Sequence, residues 1–294
     1  VNDFSGAVQR IAVVDTGVQY NHPSLSGVVV GGVNYGASAP WAGTLPGHYT
    51  DGHGHGTFIG GVIASAVNVL DINDDYVTVS GLHLLANAGT AKYALKVDAD
   101  YCTIEDCILD STDSASAWSN YCTHLQSNIT YDNCTFTGGR GFDNPSGDET
   151  NIEISGCTFE DLMETDNPMI YNYYGVDSLK IHHSKFINVK ANYIYRAYAQ
   201  GSEIRFYNNL VDCSQLGTAC LYCYETDATF TGAKIFNNTF HGIDGIKCIE
   251  LARVNDGNTY VYNNVFHMSS GYAIYAYSAS TSNYTADYNC VYRT

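Results

Sequence analysis

Alternating apolar and polar positions recur along most of the chain in one short pattern. The pattern is an apolar residue, a variable one, a turn residue, then Cys, Asn or Ser, a further residue, and an apolar or aromatic one. Its copies are Val79–Leu84, Ile104–Leu109, Tyr131–Phe136, Ile154–Phe159, Ile181–Phe186, Phe206–Val211, Ile235–Phe240, Val261–Phe266 and a weaker Asp287–Tyr292. Their last residues lie 23 to 29 residues apart. Such a period is typical of a solenoid, whose units stack because none can bury its apolar face alone.

The periodicity inside each unit indicates which solenoid this is. The segment from Tyr272 to Tyr277 reads Tyr-Ala-Ile-Tyr-Ala-Tyr, a two-residue alternation that is typical of a strand. No ten-residue helical pattern fits between the copies, which excludes two-helix repeats. The pattern therefore predicts an all-β parallel β-helix of about 8–9 coils over residues 68–294, in which each coil rises about 4.8 Å.

Asparagine pairs before apolar residues connect this stretch to a known fold. The pairs are Asn208-Asn209, Asn237-Asn238 and Asn263-Asn264. With them, residues 68–294 resemble the right-handed parallel β-helix family typified by pectate lyases. The resemblance implies a right-handed coil and a polysaccharide lyase or hydrolase as one possible activity. Lyases of this family use Lys or Arg as the base and often Ca²⁺, so Arg196 and Lys247 are candidate catalytic residues and Ca²⁺ is a possible cofactor.

Stacked coils place equal positions of the repeat above one another. The fourth position reads Leu82, Cys107, Cys134, Cys157, Ser184, Asn209, Asn238, Asn264 and Cys290. The three asparagines are expected to share a structural ladder of amide hydrogen bonds inside a bend. The first three cysteines are expected to be buried free thiols, because a disulfide between adjacent rungs would be strained.

A second alternating segment in each coil directs side chains outward on one flank. Alignment of the copies predicts two parallel stripes rich in tyrosine: Tyr171, Tyr173, Tyr195, Tyr222, Tyr224, Tyr275 and Tyr277. Three interpretations stay open, namely an elongated polysaccharide site, a protein interface, and a solvated sheet that uses tyrosine for its β propensity. Cys220 and Cys248 fall in one column on neighbouring coils, which makes them the best candidates for a disulfide.

Residues 1–67 follow a different pattern. The segment Ile11-Ala-Val-Val-Asp15-Thr-Gly and the segment Asp51-Gly-His-Gly-His55-Gly-Thr resemble the aspartate and histidine motifs of subtilisin-like serine proteases. The resemblance implies that Asp15 orients His55, and that His55 is the general base for a serine. The family's Gly-Thr-Ser motif occurs nowhere in this sequence, so we expect no complete protease site. We interpret residues 1–67 as a small α/β segment that caps the first rung, which would otherwise expose unpaired edges.

Composition and charge limit the possible partners. Lys and Arg number 13 against 30 Asp and Glu, which gives a net charge of −17 and disfavours nucleic acid. No apolar stretch is long enough to cross a bilayer. Ten cysteines without zinc-site spacing favour an extracellular, secreted protein with no metal site. An acidic stretch between Asp98 and Asp113 is a weaker candidate for Ca²⁺, and sequons predict glycans on Asn128 and Asn283.

These observations predict a secreted β-solenoid that assembles with copies of itself or contacts glycans, without a complete catalytic site. A polysaccharide lyase or glycoside hydrolase acting along the flank is the alternative. A degenerate or split subtilisin-like protease is a second alternative. The predicted partners are further copies of the chain, joined head to tail or side by side, with filaments as one form of such an assembly, or a polysaccharide.

Overall fold

A computed structural model describes residues 70–86, 93–111, 121–143, 149–162, 168–172, 176–197, 204–224, 232–253, 259–277 and 284–294. These residues form 27 parallel β-strands and no helix. The predicted all-β parallel solenoid is confirmed. The proposed cap, residues 1–67, lies outside the described residues. Within the described ranges, no helix suited to crossing a membrane is found.

Each turn of the coil contributes one strand to each of three sheets. The first sheet contains β1 (Leu70–Ile72), β4 (Leu95–Val97), β7 (Tyr121–His124), β10 (Arg140–Asp143), β13 (Pro168–Asn172), β16 (Tyr193–Ala197), β19 (Ala219–Tyr224), β22 (Lys247–Arg253) and β25 (Tyr272–Ala276). Its first two strands pair with each other, and an isolated bridge between Tyr93 and Tyr121 joins this pair to β7. The first sheet carries the outward column considered below.

The second and third sheets follow the same order. The second contains β2 (Thr78–Ser80), β5 (Thr103–Glu105), β8 (Thr130–Asp132), β11 (Glu149–Ser155), β14 (Val176–His182), β17 (Ile204–Tyr207), β20 (Lys234–Phe236), β23 (Thr259–Tyr262) and β26 (Tyr284–Asp287). The third contains β3 (His83–Leu85), β6 (Ile108–Asp110), β9 (Thr135–Thr137), β12 (Thr158–Glu160), β15 (Lys185–Ile187), β18 (Leu210–Asp212), β21 (Thr239–Ile243), β24 (Val265–Met268) and β27 (Cys290–Arg293). Paired strands are three apart in the chain, which is the topology of a solenoid.

The corner between the second and third sheets has the same backbone conformation in every turn. One residue there has a positive φ of 51° to 69°, and these residues are Gly81, Asp106, Asn133, Gly156, His183, Asn208, Asn237, Asn263 and Tyr288. Glycine, asparagine and aspartate adopt this left-handed conformation at the lowest cost. The third position of the repeat is therefore rich in turn residues because the corner requires them.

The residue after each of these corners carries a ladder of side-chain hydrogen bonds. The backbone N–H of Asn209 donates to Oδ1 of Asn238 at 3.0 Å, and the N–H of Asn238 donates to Oδ1 of Asn264 at 3.0 Å. Nδ2 of Asn238 donates back to the carbonyl of Phe206 at 2.9 Å. Each asparagine thereby satisfies a donor and an acceptor of the preceding rung that are buried at the bend.

Cysteines take the same position in earlier turns. Cys107, Cys134 and Cys157 are buried free thiols. Sγ of Cys134 donates to the carbonyl of Ile104 at 3.3 Å, and Sγ of Cys157 donates to that of Tyr131 at 3.6 Å. These carbonyls stand at the first position of the repeat, as does Phe206 in the asparagine ladder. A thiol here makes a weaker version of the same contact.

The last copy of the repeat is displaced by one residue from the sequence alignment. Val265 pairs with Cys290, so Asn289 lies at the fourth position instead of Cys290. Oδ1 of Asn289 accepts the N–H of Asn264 at 3.0 Å, while Cys290 is exposed. The placement of Cys290 in the ladder was therefore wrong, and the asparagine ladder is one rung longer.

Aromatic side chains fill the core under the third sheet. Phe136, Phe159 and Phe186 stack in sequence with ring centroids 4.7 Å apart, and all three are fully buried. Phe240 and Phe266 repeat this stacking at 5.2 Å in later turns. Burying one such side chain contributes about 1.5–3 kcal/mol, so this stack holds successive turns in a fixed register.

Replacing Asn238 with Ala is expected to destabilise the coil by about 2–3 kcal/mol, because the Asn209 N–H and the Phe206 carbonyl lose a buried partner. The matched control is Asn237→Gly, which alters the exposed neighbour and keeps a residue suited to positive φ. Denaturant unfolding of both variants is the measurement. A shift in the denaturation midpoint for Asn237→Gly as large as that for Asn238→Ala would contradict the assigned role of the ladder.

Candidate binding face on the first sheet

An outward column of aromatic and charged side chains crosses five neighbouring strands of the first sheet. Strand pairing places Tyr171 beside Arg196, Arg196 beside Tyr222, Tyr222 beside Glu250, and Glu250 beside Tyr275. Four strand-to-strand steps of about 4.8 Å make this column about 19 Å long. We call the surface around it the tyrosine face, which consists of Tyr171, Tyr193, Arg196, Tyr222, Lys247, Glu250, Tyr272, Tyr275 and Tyr277.

Tyr195 does not belong to this face. The alignment of the copies directed it outward, but Tyr195 pairs with Ile170 and Leu221 and is fully buried in the core. The outward place in β16 is taken by Arg196. The physical reason is the charge of Arg196, because directing Tyr195 outward would turn the guanidinium into an apolar core. The charge of Arg196 could therefore have predicted this orientation from the sequence alone.

Arg196 lies among three tyrosine rings. Its guanidinium carbon is 5.3 Å from the ring centroid of Tyr193, 5.5 Å from that of Tyr222 and 5.8 Å from that of Tyr171. These distances are within the range of cation–π attraction. The rings of Tyr193 and Tyr222 are inclined at 65° to each other, so they meet edge to face and are not stacked in parallel.

Lys247, Glu250 and Tyr277 form a second group at the far end of the column. Nζ of Lys247 donates to Oε1 of Glu250 at 2.7 Å and to the hydroxyl of Tyr277 at 3.1 Å. The hydroxyl of Tyr277 also donates to Oε1 of Glu250 at 2.8 Å. Nζ lies 4.4 Å from the ring centroid of Tyr275. These contacts fix the position of the ammonium group on the outer surface.

Glu250 is a buried carboxylate on an outward column. The residue is 2% exposed, and its Oε2 has no hydrogen-bond partner. Burying a charged group without full pairing costs free energy, so the ion pair with Lys247 is needed to hold it there. The strands β13, β16, β19, β22 and β25 supply no carboxylate besides Glu250.

The surroundings shift the pKa values of Lys247 and Tyr222. Partial burial lowers the pKa of Lys247, but its hydrogen bonds to Glu250 and Tyr277 and the charge of Glu250 outweigh this and raise the pKa above its ordinary value of 10.5. Burial, followed by the charge of Glu250, raises the pKa of Tyr222 to about 12. Lys247 is therefore protonated at neutral pH and is not available as a general base, which weakens its candidacy as a lyase base.

Several predicted site residues lie elsewhere. Asp15, His55, Tyr173 and Asn283 are outside the described residues, as is the side chain of Tyr224. Asn128 has a positive φ of 54° and accepts a hydrogen bond from Asn151. The acidic residues considered for Ca²⁺ belong to different sheets, since Asp98 follows β4, Glu105 ends β5 and Asp110 ends β6.

A second aromatic column was missed in the sequence. His182, Tyr207, Phe236 and Tyr262 stack along the outer side of the second sheet, with ring centroids 4.7 to 5.0 Å apart and planes within 15°. They occupy the second position of the repeat, which looked variable, and comparison of that position between copies would have shown them. Parallel stacking covers the ring faces, so this column offers mainly ring edges to a partner.

Comparison with known proteins identifies a local relationship at the N-terminal end. The model of the subtilase family matches residues 6–108. Thermitase from Thermoactinomyces vulgaris is 43% identical over 65 residues, which are 21% of this chain and 20% of thermitase. The chain thus spans about a fifth of that relative's length. No solved structure matches the chain.

The family match and the solenoid overlap in sequence. The match extends to residue 108, whereas the first described strand of the coil begins at Leu70. The predicted resemblance to subtilisin-like proteases is confirmed for the motifs that contain Asp15 and His55. The described residues between 70 and 108 contain the strands β1 to β5 and the start of β6, so here the match coincides with strands of the coil.

Replacing Glu250 with Gln is expected to lower the pKa of Lys247 towards 10.5, because the hydrogen bond loses its charge and the Coulombic attraction disappears. A lysine whose pKa is raised by folding stabilises the fold below its unfolded pKa, and this stabilisation is lost as the pH rises through the folded value. At neutral pH this ion pair should therefore contribute to the free energy of unfolding of the unaltered chain, and the variant should lack this contribution.

The measurement is an NMR titration of isotope-labelled lysine side chains, with the Lys247 signal assigned from Lys247→Arg. Glu153→Gln is the matched control, because Glu153 pairs with Lys180 on the second sheet. This change should leave the Lys247 titration where it is. An unaltered Lys247 pKa in Glu250→Gln would contradict the described ion pair.

Proposed function

We propose that the tyrosine face binds a polysaccharide chain laid across the strands of the first sheet. The observation that supports this most directly is the succession of Tyr171, Arg196, Tyr222, Glu250 and Tyr275 on five neighbouring strands. A sugar ring has apolar faces that pack on aromatic rings and hydroxyls that bond to phenol, carboxylate and ammonium groups. A column about 19 Å long offers room for several sugar units.

The charged side chains of the tyrosine face are held in place by their neighbours, which favours binding of a ligand. Arg196 is held among three rings, and Lys247 is held by Glu250 and Tyr277. Because these side chains are ordered before a ligand arrives, little conformational entropy is lost on binding. With Arg196, Lys247 and Glu250 the face carries one net positive charge, although the whole chain carries −17. A sugar polymer that carries carboxylates would therefore meet less repulsion here than the net charge suggests.

The arrangement supports binding more strongly than cleavage. A two-carboxylate glycosidase needs a pair of acidic residues across the bond, and the strands of the face supply Glu250 alone. Lys247 is protonated, and an arginine does not release its proton at neutral pH. These side chains are suited to a protein that binds its ligand along the rigid coil and does not cleave it. We propose an extracellular location, as the cysteine content of the sequence predicts.

Replacing Tyr222 with Ala is expected to weaken polysaccharide binding at least tenfold, because Tyr222 stands at the centre of the column beside both Arg196 and Glu250. Affinity electrophoresis and calorimetry with soluble neutral and acidic polysaccharides are the measurements. Tyr260→Ala is the matched control. Tyr260 is 37% exposed on the second sheet, so its replacement should leave polysaccharide binding unchanged.

The same experiment separates the other interpretations. Equal binding by Tyr222→Ala and the unaltered chain would refute the proposal. Release of unsaturated sugars, lost in Arg196→Ala, would instead make the face a lyase site. Concentration-dependent growth in light scattering that Tyr222→Ala abolishes, without any glycan binding, would make it an interface between copies of the chain.

A second candidate is a degenerate or split subtilisin-like protease, which the subtilase match favours. The sequence holds the aspartate and histidine motifs without the Gly-Thr-Ser motif, so the nucleophile of the family's route is not among these residues. We expect the chain to hydrolyse a peptide ester no faster than His55→Ala does. Hydrolysis that a serine-directed inhibitor blocks and that His55→Ala lacks would contradict this expectation.

A further inference from the structure

Three cysteine side chains meet inside the corner between the third and first sheets. Cys213 follows β18, Cys220 lies in β19 and Cys248 lies in β22. Their Sγ atoms all lie within 4.8 Å of one another. The residues are 2%, 0% and 0% exposed. Among the residues that the structure describes, no other group of three His, Cys, Asp or Glu ligand atoms comes this close together.

We propose that Cys213, Cys220 and Cys248 bind one soft metal ion through three thiolates. Thiolate ligands select soft ions such as Cu(I), and three sulfurs in a dry pocket suit a three-coordinate ion. Each thiol that coordinates the ion gives up its proton, so binding releases protons and changes no oxidation state. This site was not predicted from the sequence, because the three cysteines do not follow zinc-site spacing and two of them, Cys220 and Cys248, were predicted to form a disulfide.

The three sulfur atoms already share one small space. Their Sγ atoms lie within 4.8 Å of one another, and all three residues are buried. A metal ion bound between them would replace the thiol protons and bind all three sulfurs together.

The disulfide expected between Cys220 and Cys248 is not formed, and both are free thiols. Ala219 pairs with Lys247 and Leu221 pairs with Ile249, so Cys220 stands directly opposite Cys248 on a parallel strand. In-register neighbours on parallel strands keep their Cβ atoms about one strand spacing apart, which is about 4.8 Å. A disulfide needs about 3.5–4.5 Å between Cβ atoms. It would therefore strain the sheet and leave the third thiol unused.

Neighbouring thiols provide internal controls. Cys223 is fully buried in the same strand as Cys220 but does not belong to the group. Cys134 lies in the thiol column under the corner and donates to a backbone carbonyl. If buried cysteines bound metal without regard to geometry, these two would contribute as much as Cys213.

The test uses Cd²⁺ as the probe ion. The full chain is purified under reducing, anaerobic conditions from cells grown with added cadmium, so the ion is present while the chain folds. We expect one Cd²⁺ per chain by native mass spectrometry, together with ultraviolet thiolate-to-cadmium charge-transfer absorption. Cys213→Ser should lower the bound cadmium at least tenfold, whereas Cys223→Ser and Cys134→Ser should keep it.

Cys248→Ala is a second variant, chosen because it is expected to fold. Ala273 occupies the place opposite Cys248 on β25, so Cys248→Ala introduces a side chain that the next rung already accepts at this position. Circular dichroism checks the fold of each variant. An unaltered chain without bound cadmium would overturn the proposal. Cadmium retained by folded Cys248→Ala would also overturn it. An equal loss of bound cadmium in Cys134→Ser and Cys213→Ser would do the same. A change in polysaccharide binding is not expected in any of these variants, so the outcome is independent of the tyrosine face.

Discussion

Every turn of this coil must bend at the same place, and the N–H that follows the bend must find an acceptor inside the protein. The left-handed residue at the corner creates this requirement, and the next rung meets it with a side chain from the same column. Ser184 receives its acceptor from Asn209, Asn209 from Asn238, and Asn238 from Asn264. Because each rung supplies what the preceding one lacks, the turns cannot shift against each other without leaving buried polar groups unpaired.

That constraint determines what the outer surface can be. Once the corner fixes the register, residues of equal position stand about one strand spacing apart on every sheet. An outward column can then align residues far apart in sequence, such as Tyr171 and Tyr275, along one surface. The two aromatic surfaces differ although their strand spacing is the same. On the second sheet, the rings of Tyr207 and Phe236 stack in parallel. On the first sheet, inclined rings surround Arg196. Rings in parallel contact stabilise each other, whereas rings around a cation keep part of their faces available.

The repeat made the fold predictable, but exact alignment within a strand was harder to obtain. The corner has a strong signal, since Gly, Asn or Asp recur at positive φ, and the asparagine column was anticipated from it. Away from this corner the pattern is harder to align, because the segments on either side of the first-sheet strands differ in length from turn to turn. Tyr195 was directed outward by apolar alternation alone, although the neighbouring Arg196 decides the register. The pairing of Glu250 with Lys247 and Tyr277 could not be anticipated, since it depends on a side-chain arrangement across two strands.

The overlap between the subtilase match and the first rungs has a physical basis of its own. A buried parallel strand in an α/β enzyme and a rung of a parallel coil both need inward apolar residues at alternate positions and a neighbour in parallel register. Leu95 and Val97 satisfy this in the coil, where they pair with Leu70 and Ile72 of the preceding turn. Sequence similarity over residues 70–108 therefore does not distinguish the two folds. The strand pairs do, because each described strand here finds its partner one turn away along the coil and not across a crossover helix.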